Sequence, residues 1–551
     1  MLDSSCELRG QQTSSVYMNW KPDSFYLEHS QEDVYLCLTP KNCPDSCAMG
    51  GLEAALRTAG QGHLWDHLLT LDGEVRTAFQ VQLEAVDFAR VQRIFQASVT
   101  MTEDAEEGVE PIDGVQTIQD TTEEQRGKWR ALGLAAIAGG RVAGLLLAGG
   151  QGTRLGSPAP KGCYDIGLPS RKSLFRLHAE RLLRLQQLAQ REESAPRPCI
   201  PWYIMTSPAT DVETRAFFQA HAWFGLDAEQ VFFFQQGELP ALTPSGEAIL
   251  AAPGRLALSP DGNGGVYAAL RRSGALADMA ARGVAALDVW PVDNALAAPL
   301  DPAWVGACLA ARAELGCRVL QKAAPGERVG VLARRGGRLA VLEYSELSEA
   351  RAAARNPSTG ALRYAWSNAC LHFFSLAWLA RATDALEAAP RFHVARKAVP
   401  CLGGGTRPGV KLELFIFDTF GLAEGVRLVE VDRAAQFAPV KNGPGAGSDC
   451  PETAREAVLA LHAGWVRRAG GRVGCGEGVE VSPLLSYAGE GLEDVCGGQD
   501  FTRPWDARLQ LGHSQAPRRC VAHTPLRSTP GWHARSAHGR ILRPFRPRLP
   551  A

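Results

Sequence analysis

From about residue 140 the chain alternates short runs that are apolar throughout with longer stretches of helical period. This alternation constrains the fold more than any other feature. The runs are VAGLLLA, PWYIMTS, VFFFQQ, AALDVWPVD, CRVLQKA and RLAVLEYS. A strand with one wet face alternates apolar with polar residues, whereas a strand apolar at every position must be covered on both faces. Between the runs lie segments such as KSLFRLHAERLLRLQQLAQ, where Leu174, Leu177, Leu182, Leu185 and Leu188 share one helical face. Strands covered on both sides by helices define an α/β domain with a largely parallel sheet.

With 551 residues the chain has room for two or three domains. Residues 1–48 are polar and aperiodic, and a disordered or irregular extension is expected there. Residues 49–135 read as a helical N-terminal domain and linker. LEAALRTAG and HLWDHLLTLDGEVRTAFQVQLEAVDF place apolar residues three and four apart, and the acidic MTEDAEEGVEPIDG reads as a solvated loop. A core follows over 136–400, then a smaller C-terminal domain over 401–504 in which KLELFIFDTF reads as a strong strand. An irregular basic tail, rich in Arg, His and Pro, occupies 505–551. A net charge of -1 gives no global attraction to nucleic acid or to an anionic membrane. No secretory signal or membrane span is expected, and 14 scattered cysteines without repeated CxxC pairs point to a reducing, cytoplasmic setting.

The first apolar run ends in LLLAGGQGTRLG, Leu145 to Gly156. Glycines after a strand let backbone N–H groups approach a phosphate, and three kinds of loop begin this way. The dinucleotide fingerprint G-x-G-x-x-G requires a third glycine where this chain has Leu155. The P-loop requires a lysine directly after its last glycine, and Lys161 stands too far from Gly156 with no Ser or Thr behind it. What remains is GGQGTRLG followed by PKG. Arg154 offers a planar fork of donors and Lys161 a compact charge, a pair suited to the di- or triphosphate of a nucleotide.

At these residues the chain resembles the UDP-sugar pyrophosphorylases, and within them the UDP-N-acetylhexosamine pyrophosphorylases and their pyrophosphorylase-like paralogue. The resemblance rests on LAGGQGTRLG with PKGCYDIGLPSRKSLF. It continues through MTSP, FFQQGELPAL, SPDGNGGVY, VDN, VLEYSE, HVARK, KLELFIFDTF, FAPVKN and LLSYAGEGLE, over roughly residues 50–503. It implies a Rossmann-like nucleotidyltransferase core with a mixed, largely parallel sheet, flanked by a helical N-terminal portion and a smaller C-terminal domain.

The resemblance also implies site residues. Leu147, Ala148, Gly149 and Gly150 would lie along a uridine nucleotide, with Arg154 and Lys161 on its phosphates and Gln236 at the uracil edge. Gly262 would approach the nucleotide, and Asn263 would bond the sugar. Asp293, at the end of a strand, would hold Mg²⁺ (or Mn²⁺) against the phosphates. Glu343, Tyr344 and Asn368 would contact the hexosamine, and Lys411 and Lys441 would complete the phosphate-binding set. Taken alone, Gln236 is a polar strand end and DGNGG an ordinary turn. The sequence departs from the family at Leu371, where a second asparagine is usual, and in VPCLGGGTRPG, which is shorter than the family's loop.

The implied partners are UTP and an N-acetylhexosamine 1-phosphate, with no specific nucleic acid and no membrane. The implied catalytic charge sits on Arg154, Lys161 and Lys411. A phosphate nucleophile is already ionised at neutral pH, so no general base is called for. Two alternatives stay open: the same chemistry on another sugar 1-phosphate, and a weakly active sugar-nucleotide-binding protein acting through partners.

Overall fold

The computed structural model describes residues 50–100, 108–190, 197–474 and 478–501, and the backbone of 17–21, 24–28, 45–49 and 508–509. Within the expected 1–48 extension, Tyr17–Lys21 and Ser24–Glu28 pair as an antiparallel hairpin, and the first helix already begins at Asp45. The rest of that extension, residues 101–107 of the acidic stretch, and the basic tail apart from 508–509 lie outside the described residues.

Four helices follow the hairpin: α1 (Asp45–Thr58), α2 (Gly62–Leu69), α3 (Gly73–Glu84) and α4 (Phe88–Thr100). Their apolar stripes, among them Leu64, Leu68, Phe79, Leu83, Val91 and Phe95, pack into the main core. The acidic stretch is not loop throughout. Its C-terminal part forms β1 (Val109–Pro111), which pairs with a strand more than 200 residues away and so gains a ladder that its own composition does not suggest.

The core then runs α5 (Glu123–Ala138), β2 (Val142–Leu147), α6 (Leu174–Ala189), β3 (Trp202–Thr206), α7 (Asp211–Ala220), β4 (Val231–Gln235), α8 (Val266–Arg272) and β5 (Ala286–Pro291). It continues through α9 (Pro302–Ala310), β6 (Leu315–Gln321), β7 (Val331–Arg335), β8 (Arg338–Leu342), β9 (Trp366–Ser375) and α10 (Leu376–Ala388). A two-stranded ribbon, β10 (His393–Pro400) and β11 (Thr406–Glu413), precedes β12 (Val426–Glu430) and the long helix α11 (Pro451–Arg468). Ser173 and Thr122 cap α6 and α5 by accepting from backbone N–H groups in their first turns.

Ten strands form one mixed sheet, ordered β8-β7-β9-β5-β2-β3-β4, with β6 beside β9, β12 beside β6 and β1 beside β7. The half built from β5, β2, β3 and β4 is parallel, as is the β6–β12 pair, while β9 runs antiparallel to β5 and β6. The fold is α/β, as the apolar runs require. Every residue of β2 is buried, and the pleat divides them between two cores. Ala143, Leu145 and Leu147 join the core beneath the N-terminal helices, whereas Val142, Leu146 and Ala148 join the core under α6. Strand β12 enters this sheet, so the sheet draws on chain from both sides of residue 400.

KLELFIFDTF is not one strand. β11 stops at Glu413, and Ile416–Leu422 winds into a 3-10 turn. Asp418 causes the break by accepting from the Phe415 N–H at 2.9 Å, and the Asn263 side chain takes the Ile416 N–H at 3.0 Å. The segment around α11 is tied by polar contacts to α6 and to the loop after β5. Lys172 Nζ reaches Glu180 and Ser482, Arg184 bonds Glu490 at 3.1 Å, and Tyr487 donates to the Pro299 carbonyl. Among the described residues no helix is long and apolar enough to cross a membrane.

Candidate active site

Parallel strands end together. Leu147 of β2 stands opposite both Pro291 of β5 and Met205 of β3, and Thr206 stands opposite Gln235 of β4. The segments leaving these four C-terminal ends therefore crowd one edge of the sheet, where open α/β sheets hold ligands.

Ala148 is tied to Met205 by its N–H, and the Gly149 carbonyl accepts from Ser207 Oγ at 2.9 Å. The Gln236 side chain lies directly against Gly149. A Cβ on Gly149 would fall 2.9–3.0 Å from its amide atoms, so only glycine lets that amide approach. Gln236 is 8% exposed, its backbone fixed by an N–H bond to the Thr206 carbonyl. Beyond Gly150 the loop folds back on itself: Gly152 donates to Ala159, and Lys161 donates through its backbone to Gly150. Leu155, at the position that excluded the dinucleotide fingerprint, is a core anchor packed with Leu174, Leu177 and Val458.

The return of the loop sets Lys161 Nζ 3.0 Å from Asp293 Oδ2, both side chains being largely buried. Asp293 follows β5, and its carbonyl accepts from Val440. Next to it, Asn294 bonds the Gln436 carbonyl and the Ala438 N–H, which pins segment 436–441 to the strand end and brings Lys441 alongside.

The opposite wall comes from β8 and β9. Glu343, just after β8, is largely withdrawn from water. Burial raises its carboxyl, Glu346 adds to the rise, and Lys441 and His393 oppose it. On β9 the ladder to β6 skips two residues, Ala369 and Cys370, so that Leu371 faces Arg318 and Asn368 faces Val319. This bulge is held by Asn368 Oδ1, which accepts the Cys370 N–H at 3.0 Å, with Cys370 at φ 56°. Burial pushes the Cys370 thiol up to about 12, with Asp293 and Glu343 reinforcing the shift and Lys441 opposing it. Four expected site residues, Asn368, Asp293, Glu343 and Lys441, thus act on one bulge.

Gly262 and Asn263 form a third group with the end of β11. Gly262 sits at φ 91° with its α-carbon pressed against the Leu414 carbonyl, where a Cβ would collide. Asn263 spends its Oδ1 on the Ile416 N–H, leaving its amide nitrogen as the donor available to a ligand. Lys411 lies on β11, part-exposed and without an ion pair among the described residues.

Arg154 and Tyr344 stand apart. Both side chains are exposed, Tyr344 at 52%, and neither is hydrogen-bonded to another described site residue. The Arg154 backbone nevertheless abuts Gly443, two residues beyond Lys441. Leu371 is fully buried in the core and presents no polar group.

The sequence reading assigned no role to Ser207, Asn294, Cys370 or Asp261. MTSP carried the signal for Ser207, and VDN carried it for Asn294. No cluster of three or more His, Cys, Asp or Glu residues suited to a metal occurs among the described residues. Asp293 is a single carboxylate at a strand end. Such a donor set fits a hard cation shared with substrate phosphates and water better than a metal caged wholly by protein.

A glycine loop closed by a lysine–aspartate pair, at the C-terminal edge of a parallel half-sheet, defines a nucleotide-binding α/β protein. The sequence profile of the UTP–glucose-1-phosphate uridylyltransferase family matches residues 88–445, and the chain belongs to that family. It is 44% identical over 499 residues to UDP-N-acetylglucosamine diphosphorylase 2 of Arabidopsis thaliana, covering 88% of this chain and 99% of that protein. It is 40% identical over 478 residues to UDP-N-acetylhexosamine pyrophosphorylase-like protein 1 of Xenopus tropicalis, covering 81% and 93% respectively. The crystal structure of the uridine diphosphate N-acetylglucosamine pyrophosphorylase from Trypanosoma brucei in complex with inhibitor is similar, with a TM-score of 0.73 at 31% identity. That match spans 83% of this chain and 95% of the other.

Proposed function

We propose that this protein is a uridylyltransferase that makes UDP-N-acetylhexosamine and pyrophosphate from UTP and N-acetylhexosamine 1-phosphate. The observation that carries this reading is the packing of Gln236 on Gly149 beside the Lys161–Asp293 pair. It puts a planar amide, able to donate and accept along a pyrimidine edge, next to a glycine loop and a cation.

The sugar phosphate oxygen attacks the α-phosphorus of UTP. A new P–O bond forms, the bond from the α-phosphorus to the bridging oxygen breaks, and pyrophosphate leaves with its electron pair. The obstacle is repulsion between two anions, so catalysis is alignment and neutralisation. Lys161 serves the phosphates from within the loop, Lys411 and Lys441 approach from the C-terminal side, and Arg154 lies at the open rim. Glu343 and Asn368 face the sugar hydroxyl and acetamido groups. Asp293 would hold Mg²⁺ (or Mn²⁺) together with phosphate oxygens, supplying further neutralisation. The eight described cysteines are free thiols, which suits a cytoplasmic setting.

Pyrophosphate release from UTP with N-acetylglucosamine, N-acetylgalactosamine and glucose 1-phosphates tests the reading. The N-acetylhexosamine phosphates should turn over fastest. A preference for glucose 1-phosphate would reassign the sugar, and no release with any of them would overturn the transferase reading. UTP should also raise the melting temperature much more than ATP does, because a ligand that binds only the folded state stabilises it. Equal shifts from both nucleotides would remove Gln236 as the base reader.

A further inference from the structure

Asp261 is a buried carboxylate that the chemistry above does not use. It is 8% exposed, and its Oδ1 is buried without a hydrogen-bond partner among the described residues. Two glycines make room for it. A Cβ at Gly237 or at Gly265 would collide with its carboxylate oxygens. Its backbone joins three pieces of the site. The Asp261 N–H donates to Gly237, directly after Gln236, at 2.9 Å, and its carbonyl accepts from Leu414, three residues beyond Lys411, at 2.7 Å. Gly262 and Asn263 follow it in the chain.

We propose that Asp261 is a positioning residue of the nucleotide site: its neutral carboxyl group keeps the Gln236 loop, the Gly262–Asn263 turn and the end of β11 closed on one another, and its ionisation weakens nucleotide binding. The inference rests on the uridylyltransferase reading for its choice of ligand. Ionisation puts half a charge on Oδ1, which has no donor among the described residues, so the three segments must part or admit water to solvate that oxygen. It also adds a negative charge beside a site for a triphosphate.

The surroundings place this ionisation in the physiological range. Burial raises the carboxyl from 3.8 to about 7, and Glu238 adds to the rise. The Arg272 guanidinium on α8 and the N–H groups of Asp261 and Gly237 oppose it. Of the charged residues near Leu414, Glu413 is paired with Lys397, and Lys411 is the cation assigned to substrate. Because the folded state holds this proton more tightly than the unfolded chain, Asp261 favours folding at acid pH. That contribution is complete only below about 3.8 and is lost progressively as pH rises from there through about 7.

The test compares the wild type with D261N, whose amide is a permanently neutral isostere, from about pH 5.5 to 8.5 on either side of the transition. The KM for UTP of the wild type should rise relative to that of D261N by about threefold or more across pH 7, with little change in the kcat ratio. The γ-phosphate of UTP titrates in both proteins alike, so the ratio isolates Asp261. R272Q, an exposed change, removes the opposing cation and should move the midpoint of the KM rise upward. Thermal melting supplies an arm that needs no turnover: the melting temperature of the wild type should fall relative to that of D261N as pH rises. Parallel KM profiles, or a melting difference independent of pH, would overturn the proposal. A wild type that melts as expected but turns over no substrate would instead refute the transferase reading.

Discussion

Replacing Lys161 with alanine should lower kcat with UTP and N-acetylglucosamine 1-phosphate by about 10²–10³-fold, the scale lost with one preorganised stabiliser of transition-state charge. The loop returns Lys161 to Gly150 through backbone hydrogen bonds that the substitution leaves intact. The lost group is therefore a cation and not a scaffold. Its partner Asp293 keeps 18% side-chain exposure, and losing this charged hydrogen bond should cost about 1.5–3 kcal/mol of stability, too little to unfold the chain. Lys161→Arg keeps the charge on a longer, planar group and should recover part of the rate. Steady-state kinetics separate the possibilities. A rise in KM alone would make Lys161 a binding residue without a role in the transition state, and a near wild-type kcat would remove it from the site.

The half-sheet that carries this lysine was legible because physical chemistry leaves a run such as VAGLLLA few options. With every position apolar it must be covered on both sides, and the glycines behind it must turn. The helix over Leu174–Ala189 was legible for the same reason, through the spacing of its leucines. What stayed hidden depended on partners distant in sequence. KLELFIFDTF has the alternation of a continuous strand, yet Asp418 and Asn263 take up N–H groups that a ladder would have used. SNACLHFF likewise reads as straight strand, and the two skipped residues become visible only against the register of β6.

The candidate site divides in the same way. Glycines and cations can be read by spacing, and the strand-end Asp293 by its place after an apolar run. The placing of Gln236 on Gly149, and of Asp261 between two other glycines, is a property of neighbouring loops. No composition or period announces it. One further signal was present and unused: Asp288 and Arg318 each sit at the centre of an otherwise apolar run, ALDVW and GCRVL. A charge there is almost never left alone.

Those two residues carry the second large prediction. Asp288 and Arg318 are both fully buried and face each other across β9, with Arg318 Nη2 2.9 Å from each carboxylate oxygen. The carboxylate also accepts from the Leu300 N–H at 2.7 Å and the Trp304 indole at 2.9 Å. Arg318 passes the network on, donating to the Ala298 carbonyl and to Gln436, whose own carbonyl holds Asn294 beside Asp293. Asp288→Asn should destabilise the fold by about 3–5 kcal/mol, because it leaves a guanidinium buried without its counter-charge. The loss should show as a large fall in melting temperature. In whatever fraction stays folded, turnover should fall too, since Gln436 and the segment bearing Lys441 lose their anchor. Replacing both partners, Asp288→Leu with Arg318→Met, separates charge from packing. An apolar pair of similar volume should recover much of the lost stability, because no unpaired charge remains to be desolvated. If the double variant melts no higher than Asp288→Asn, packing around the site sets the stability of this layer and the ion pair does not. If it melts higher but turnover stays low, the pair is retained to hold segment 436–441 against the nucleotide site, at a distance of two hydrogen bonds from the residue it positions.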